Sequence, residues 1–129
     1  MYRVPIYCGL MPERDDPRSA GAAALAGFGR YAGPATLILC SLADGPKHGY
    51  ALTKDVEGFA GVRLAPGTLY EALARLESQG LIEALAAEDR RRPYRLTAAG
   101  AVALQAHLDG QRRVTEVGLR RLAANWGAA

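Results

Sequence analysis

The sequence is poor in the residue types from which most catalytic sites are built. Its 129 residues include two cysteines, two histidines and one tryptophan. Two cysteines are too few for a disulfide framework, and Cys40 lies in an apolar helical pattern, so we expect a buried, reduced thiol there. No catalytic triad, phosphate-binding glycine loop or carboxylate pair occurs at a spacing that a known mechanism requires. We therefore expect neither an enzyme nor a bound cofactor.

Zinc is the metal for which the chain holds suitable ligand types. Thiolate and imidazole groups suit zinc, and the chain offers Cys8, Cys40, His48 and His107. A metal-responsive protein is therefore an alternative. The spacing of these residues is irregular and matches no zinc motif, so we expect no metal site.

Long apolar runs are also missing. The chain contains no stretch of about 18 apolar residues, the length that a membrane-spanning helix needs. The N-terminus, MYRVPIYCGLMPERDD, has acidic residues where a signal peptide needs its apolar segment, so we expect a cytoplasmic protein. Met11 is an alternative natural start. The length is typical of one domain with a buried core.

Positive charge is concentrated in one segment. The net charge is +3 and the isoelectric point is near 9.1, which favours a polyanionic partner only weakly. The segment EDRRRPYR (88–95), however, contains four arginines. Guanidinium groups match phosphate oxygens and fit narrow minor grooves, so this segment indicates contact with nucleic acid.

The first part of the chain is the least regular. Residues 1–33 form an N-terminal extension in which SAGAAALAGFGRY (19–31) predicts one short helix. The rest of the chain divides into a segment of several short elements, residues 34–97, and a C-terminal helical segment, residues 98–129. Residues 34–97 begin with PATLILCSLADG (34–45), which predicts a short helix that ends at a Gly-Pro break. A second helix is predicted in KHGYALTKDVEGFAG (47–61), with Leu52, Val56 and Phe59 on one face.

A third helix is predicted in APGTLYEALARLESQGLIE (65–83). Pro66 suits the first turn of a helix, and Gly80 suits the left-handed residue that ends one. The inner face carries Leu69, Ala72, Leu73 and Leu76. The opposite face carries small and hydrogen-bonding groups with Tyr70 near the N-terminal end, so it can lie flat against another molecule.

A hairpin and a long helix complete the chain. Partial alternation over residues 81–97 predicts a β-hairpin, and Thr97 can cap the helix that follows. The apolar stripe of that helix contains Leu104, Leu108, Thr115, Leu119 and Leu122, with Val102, Val114 and Val117 beside it. The stripe is too long for one small domain to cover, so we expect a homodimer that pairs through it. The alternative is that residues 19–33 cover the stripe within one chain.

This order of elements predicts a mainly α (α+β) fold, a winged helix-turn-helix with a two-stranded wing and a long C-terminal dimerisation helix. In that fold the third helix enters the major groove of double-stranded DNA, and the hairpin contacts the backbone or the adjacent minor groove. Tyr70 and Thr68 lie where base edges are read. The predicted DNA-binding residues are Lys47, His48, Tyr50, Pro66, Thr68, Tyr70, Arg75, Arg90, Arg91, Arg92 and Arg95.

Three motifs in register resemble the PadR family of bacterial transcriptional regulators. They are HGYAL (48–52), PGTLYEALARLESQGLI (66–82) and RPYRLTAAG (92–100), and the resemblance covers about residues 35–124. It implies a repressor that dimerises through its C-terminal helix, binds an inverted-repeat operator and releases it in response to a small molecule or another signal. Many members have serine where this chain has Ala65, and proline where it has Glu71. The first departure removes a helix cap, and the second places a carboxylate on the DNA face.

Each predicted contact has a structural alternative. His48 can serve the turn before the second helix, Tyr70 can cover the core edge, and the hairpin arginines can be solubilising charge. Thr68 and Arg75 can be an ordinary first-turn residue and a solvated side chain. At the level of function, the alternative is a winged-helix protein-interaction module that does not bind DNA. That module would favour an uncharged or acidic hairpin.

Overall fold

A computed structural model describes residues 32–127 as four helices and one hairpin. The elements are α1 (Ala32–Leu42), α2 (Gly49–Ala60), α3 (Pro66–Ser78), β1 (Ile82–Ala84), β2 (Tyr94–Leu96) and α4 (Ala98–Asn125). This order confirms the predicted mainly α winged helix-turn-helix with a two-stranded wing. The helix predicted over residues 19–31 lies outside the described residues.

The helix ends are set by residues with the appropriate local chemistry. Gly80, which follows the third helix, has a φ of +76°, the left-handed conformation that its sequence position predicted. Thr97 caps α4, because its hydroxyl accepts a hydrogen bond from the backbone N–H of Gly100 at 3.0 Å. His48 caps α2 by accepting from the N–H of Ala51 at 3.4 Å, so its structural alternative is confirmed.

The core lies between α1, α2, α3 and the first turns of α4. The predicted inner face of α3 is confirmed, since Leu69, Ala72, Leu73 and Leu76 are all buried. Leu52 and Val56 of α2 are also buried, but Phe59 is 51% exposed. Phe59 shares the predicted face with Leu52 and Val56 but lies in the last turn of α2, where the buried part of that face has already ended.

Cys40 of α1 is a free cysteine that is partly buried against the core. Burial raises the pKa of its thiol, so the protonated and unreactive form is favoured at neutral pH. The predicted reduced thiol is thus confirmed, with partial burial instead of complete burial.

The hairpin is joined to the helices through residue 47. Strands β1 and β2 are antiparallel, with Glu83 opposite Arg95. The backbone of Lys47 exchanges two hydrogen bonds with that of Tyr94, at 3.1 and 2.9 Å, and thereby extends the sheet by one residue at the β2 edge. The loop between α1 and α2 therefore fixes the base of the wing.

The side chain of Lys47 is directed into the same junction. Its ammonium donates a 2.6 Å hydrogen bond to the carbonyl oxygen of Ser41 and lies 3.7 Å from Asp44 and 4.0 Å from Asp55. The Ser41 hydroxyl, which is buried, donates a 2.6 Å hydrogen bond to Asp55. One lysine therefore joins the end of α1, the loop and α2.

Helix α4 has 28 residues, a length of about 42 Å at 1.5 Å per residue. Only its first part packs on the core, where Ala103 and Leu104 are buried and Leu108 is partly buried. Leu104, which was predicted to form a dimer contact, is already covered within the monomer and leaves little surface for a partner. Among residues 32–127, no helix is both long and apolar enough to cross a membrane.

A close joint connects the start of α4 to the turn after α3. The hydroxyl of Thr97 donates to the carbonyl of Gly80 at 2.7 Å, and the N–H of Thr97 donates to the carbonyl of Leu81 at 3.1 Å. Gly100 lies against this turn so closely that an added Cβ would collide with the Leu81 backbone oxygen and lie 2.8 Å from Leu96 Cδ1. The joint therefore requires glycine at this position.

Replacing Gly100 with alanine should lower the free energy of unfolding by about 1–3 kcal/mol, because backbone atoms cannot move aside for a methyl group. The measurement is urea unfolding followed by circular dichroism at one protein concentration. Gly58→Ala is the matched control, since nothing lies within 4 Å of its added Cβ, and helix propensity should then raise stability. Equal stabilities for Gly100→Ala and wild type would show that the close approach to Leu81 does not require glycine at this position.

Lys47→Met should also destabilise the protein, by about 1–3 kcal/mol, because it removes the donor for a partly buried carbonyl and carboxylate. The control is Lys54→Met, which removes an exposed ammonium from α2 and should change stability by less than about 0.5 kcal/mol. Both are measured by urea unfolding. If the two variants were equally stable, the Lys47 ammonium would have no structural role.

Candidate nucleic-acid interface

The outer face of α3 is exposed at its N-terminal end. Pro66, Glu71 and Tyr70 are exposed, and Thr68 is half-buried. Ala65 occupies the N-cap position without forming a side-chain hydrogen bond, which confirms the effect of losing serine there. The first turn of α3 therefore presents small side chains and backbone, with one tyrosine beside them.

The start of α2 lies next to this face. Tyr50 is 69% exposed, while His48 is half-buried because its ring caps the helix. The ring of Tyr70 reaches across from α3, so that a Cβ added at Gly49 would lie 3.0 Å from the Tyr70 hydroxyl oxygen. The two helices thus bring their hydrogen-bonding side chains to one place.

The tip of the wing is a tight turn that carries Arg90 and Arg91. Glu88 and Arg91 exchange two backbone hydrogen bonds, at 2.6 and 2.8 Å, so the loop between them has two residues. Those residues, Asp89 and Arg90, have φ values of +49° and +70°, as a two-residue hairpin turn requires. Aspartate tolerates this conformation, but arginine adopts it at a cost, which favours a functional reason for the arginine.

Residues of α2, α3 and the wing enclose one cleft of about 330 Å³. We call it the basic cleft; it is lined by His48, Gly49, Tyr50, Tyr70, Arg90, Arg91, Arg92 and Tyr94. Three guanidinium groups line it, and no carboxylate of the described residues does. The cleft is therefore suited to an anion.

Tyr94 supplies a neutral hydroxyl to this cleft. Burial is the main cause that raises the pKa of its phenol, the nearby carboxylate of Glu77 and the phenol of Tyr70 raise it further, and Arg92 lowers it. The net direction is upward, so Tyr94 stays protonated and can donate a hydrogen bond at any pH near neutral. Neither Tyr94 nor Gly49 was among the predicted site residues, although both lie within the motifs HGYAL and RPYRLTAAG.

Five of the predicted DNA-binding residues lie outside the basic cleft: Lys47, Pro66, Thr68, Arg75 and Arg95. The ammonium of Lys47 is occupied by acceptors of its own chain, and the Lys47 side chain is only 16% exposed. Arg95 lies within β2, away from the wing tip, and pairs with Glu83 across the hairpin. Arg75 is exposed in the last turn of α3, at the opposite end of the helix from Thr68.

The part of the chain that the structure describes contains no group of three histidine, cysteine, aspartate or glutamate residues placed to hold a metal ion. Cys40 and His48 lie on α1 and at the start of α2, and His107 lies in α4. Cys8 is outside the described residues.

The sequence matches a family of transcriptional regulators and two known proteins. A model of the transcriptional regulator PadR-like family matches residues 38–106. The transcriptional regulator Rv3488 of Mycobacterium tuberculosis is 46% identical over 70 residues, 52% of this chain and 64% of that protein. An uncharacterized 37.1 kDa protein in transposon Tn4556 of Streptomyces fradiae is 47% identical over 79 residues, 61% of this chain and 23% of its own length. The chain thus spans less than two thirds of either relative.

Solved structures match the same architecture. A PadR family transcription regulator from Clostridium difficile R20291 is 29% identical and superposes with a TM-score of 0.62, covering 68% of this chain and 96% of that one. The family model covers more than half of the chain, from α1 to the buried start of α4. The chain therefore belongs to the PadR-like family of transcriptional regulators.

Proposed function

We propose that this chain is a sequence-specific regulator that binds double-stranded DNA at an inverted-repeat operator as a homodimer. The observation that carries the proposal is the basic cleft, where three wing arginines and the starts of α2 and α3 come together. In the winged helix-turn-helix fold, α3 would lie in the major groove and the wing on the backbone beside it.

The two surfaces would supply different parts of the binding energy. Arg90, Arg91 and Arg92 would neutralise phosphates and give affinity that does not depend on sequence. Thr68 and Glu71 lie on the outer face of α3, where side chains reach base edges. A glutamate there would accept a hydrogen bond from a cytosine amino group, which gives this chain a reason to differ from relatives with proline.

Dimerisation would use the part of α4 beyond the core. Leu119 is 63% exposed, Leu122 54% and Trp126 77%, and Thr115 is exposed before them. Their spacing alternates between four residues and three, which is that of a helix-pairing seam. Large exposed apolar side chains in one row favour a partner. Residues 19–33, the alternative cover for this row, lie outside the described residues. We propose that a second copy of the chain covers the row.

The direction of regulation and the signal rest on family membership alone. The family resemblance implies a repressor that is released by a small molecule or another signal, and we propose this role for the chain. A protein-interaction module that does not bind DNA is less well supported, because the wing tip presents three exposed arginines.

The charge on the wing gives a test in which stability and DNA binding change in opposite directions. Arg90→Gly relieves the left-handed backbone and should raise stability by up to about 1 kcal/mol. It also removes one phosphate contact from each protomer, so the slope of log affinity against log salt should become shallower by about 1.8. Fluorescence anisotropy in a salt series, on operator and random DNA, measures the slope.

Arg121→Ala is the control for this series, because Arg121 is an exposed arginine in α4, far along the chain from the wing. Its salt slope should equal that of the wild type. An unchanged slope in Arg90→Gly would show that this arginine contacts no phosphate. A wild-type protein that binds neither DNA would favour the protein-interaction module.

The dimer is tested by sedimentation, in which the wild type should run near twice 13.7 kDa. Leu119→Glu should give a monomer that keeps its helical circular dichroism, because a carboxylate in the seam would be buried without a partner. Ala124→Glu places the same group on the face of α4 opposite the seam and should remain dimeric. A wild-type monomer at tens of micromolar would rule the dimer out.

A further inference from the structure

Three hydrogen-bond donors from three different elements meet in the basic cleft: His48 before α2, Tyr70 on α3 and Arg91 on the wing. We propose that these side chains bind one backbone phosphate in each half of the operator, and that Gly49 makes room for the arrangement. This inference rests on the DNA binding proposed above. It assigns Tyr70 to a phosphate, whereas its position in the sequence had assigned it to base edges.

The tautomer of His48 decides which of its nitrogens donates. A neutral imidazole has one N–H and one acceptor nitrogen. Because Nδ1 accepts the hydrogen bond that caps α2, we assign the ring hydrogen to Nε2. Nε2 lies 3.4 Å from Nη1 of Arg91, and guanidinium nitrogens only donate. Two donors therefore face each other, and an acceptor beside them would satisfy both.

Tyr70 lies in the same cleft as His48 and Arg91. Its ring lies against the start of α2, and its hydroxyl forms no hydrogen bond within residues 32–127. The side chain is 57% exposed, so the hydroxyl is available to a ligand on this surface. It is directed toward the cleft shared with His48 and Arg91 and not along the outward face that Thr68 occupies.

The absence of a side chain at residue 49 allows this position. A Cβ there would lie 3.0 Å from the Tyr70 hydroxyl oxygen and 3.6 Å from Leu69 Cδ2. The Leu69 distance is an ordinary van der Waals contact, so the Tyr70 hydroxyl is the group that would have to shift, by a few tenths of an ångström.

The donor set selects a phosphate over a base. His48, Tyr70 and Arg91 supply N–H and O–H groups, and the described lining of the cleft contains no carboxylate to accept from a base amino group. A phosphodiester offers only acceptor oxygens and a negative charge, whereas every base pair presents both donors and acceptors in the major groove. The arrangement therefore fits the DNA backbone.

The test replaces single phosphates in a selected operator by uncharged methylphosphonates, one at a time. With wild-type protein, one position in each half-site should lower the affinity about tenfold, the usual effect of losing a charge-assisted hydrogen bond. In His48→Ala and Tyr70→Phe, that penalty should fall toward onefold, while the penalties at other positions stay unchanged. If both variants keep the full penalty, the proposal that His48 and Tyr70 bind one shared phosphate is wrong. The proposed DNA binding itself would be unaffected.

A second measurement separates phosphate contact from base contact. Tyr70→Phe should weaken binding to operator and random DNA by the same factor, since a phosphate is present in both. A drop in the operator-to-random ratio would return Tyr70 to base contact and overturn the inference. If the wild type bound neither DNA, the proposed function would fail, which is a different outcome.

The role of Gly49 is tested by a double-mutant cycle. Gly49→Ala should weaken DNA binding in the wild type but add nothing in Tyr70→Phe, where the oxygen that meets the new methyl is gone. Gly58→Ala on the same helix is the control and should leave affinity unchanged. Thermal unfolding checks that every variant is folded. Equal effects of Gly49→Ala in both backgrounds would contradict the steric role.

Discussion

The arrangement of the wing against the helices depends on its attachment at Lys47. Its backbone pairs with Tyr94 of β2, and its ammonium donates to the carbonyl of Ser41 at the end of α1. A long flexible stem lets one residue satisfy both requirements, since the charged group can turn back toward α1 while the backbone stays in the sheet. The hairpin has strands of only three residues, and this attachment acts on its β2 side together with the burial of Ile82 of β1 in the core.

This attachment also determines which charges reach the surface. The Lys47 ammonium is turned toward acceptors of its own chain, and Arg95 is paired with Glu83. At the basic cleft, the positive electrostatic potential therefore comes mainly from Arg90, Arg91 and Arg92, which a short turn holds together. A net charge of +3 for the chain says little about this local concentration.

The fold was predictable because its boundaries depend on short-range chemistry. Pro66, Gly80 and Thr97 act at the ends of their helices through their own backbone or hydroxyl groups, so sequence position alone predicts them. The partner of an apolar stripe was not predictable in the same way. Leu104 and Leu119 occupy the same stripe of α4, yet one is buried in the monomer and the other is exposed. Periodicity identifies a face but not the element that covers it.

The candidate site was predicted by residue type more accurately than by geometry. The motifs identified the starts of α2 and α3 and the wing arginines, which do meet in one cleft. The direction of Tyr70 was not predictable, because it depends on space left by a glycine in another helix. The pairing of Arg95 was missed because hairpin register decides it, and partial alternation does not fix a register.

The joint at Gly100 and Thr97 affects how two recognition helices would be spaced. Gly100 lies so close to the turn after α3 that a side chain would collide with it, and Thr97 forms two hydrogen bonds to the same turn. These contacts hold the start of α4 against the turn. In the proposed dimer, each α3 would thus move as a rigid extension of its α4. A change of about 10° in the angle between helices of about 42 Å shifts their far ends by about 7 Å. A change of that size in the pairing of the two α4 helices would move the two recognition helices relative to each other by a comparable distance.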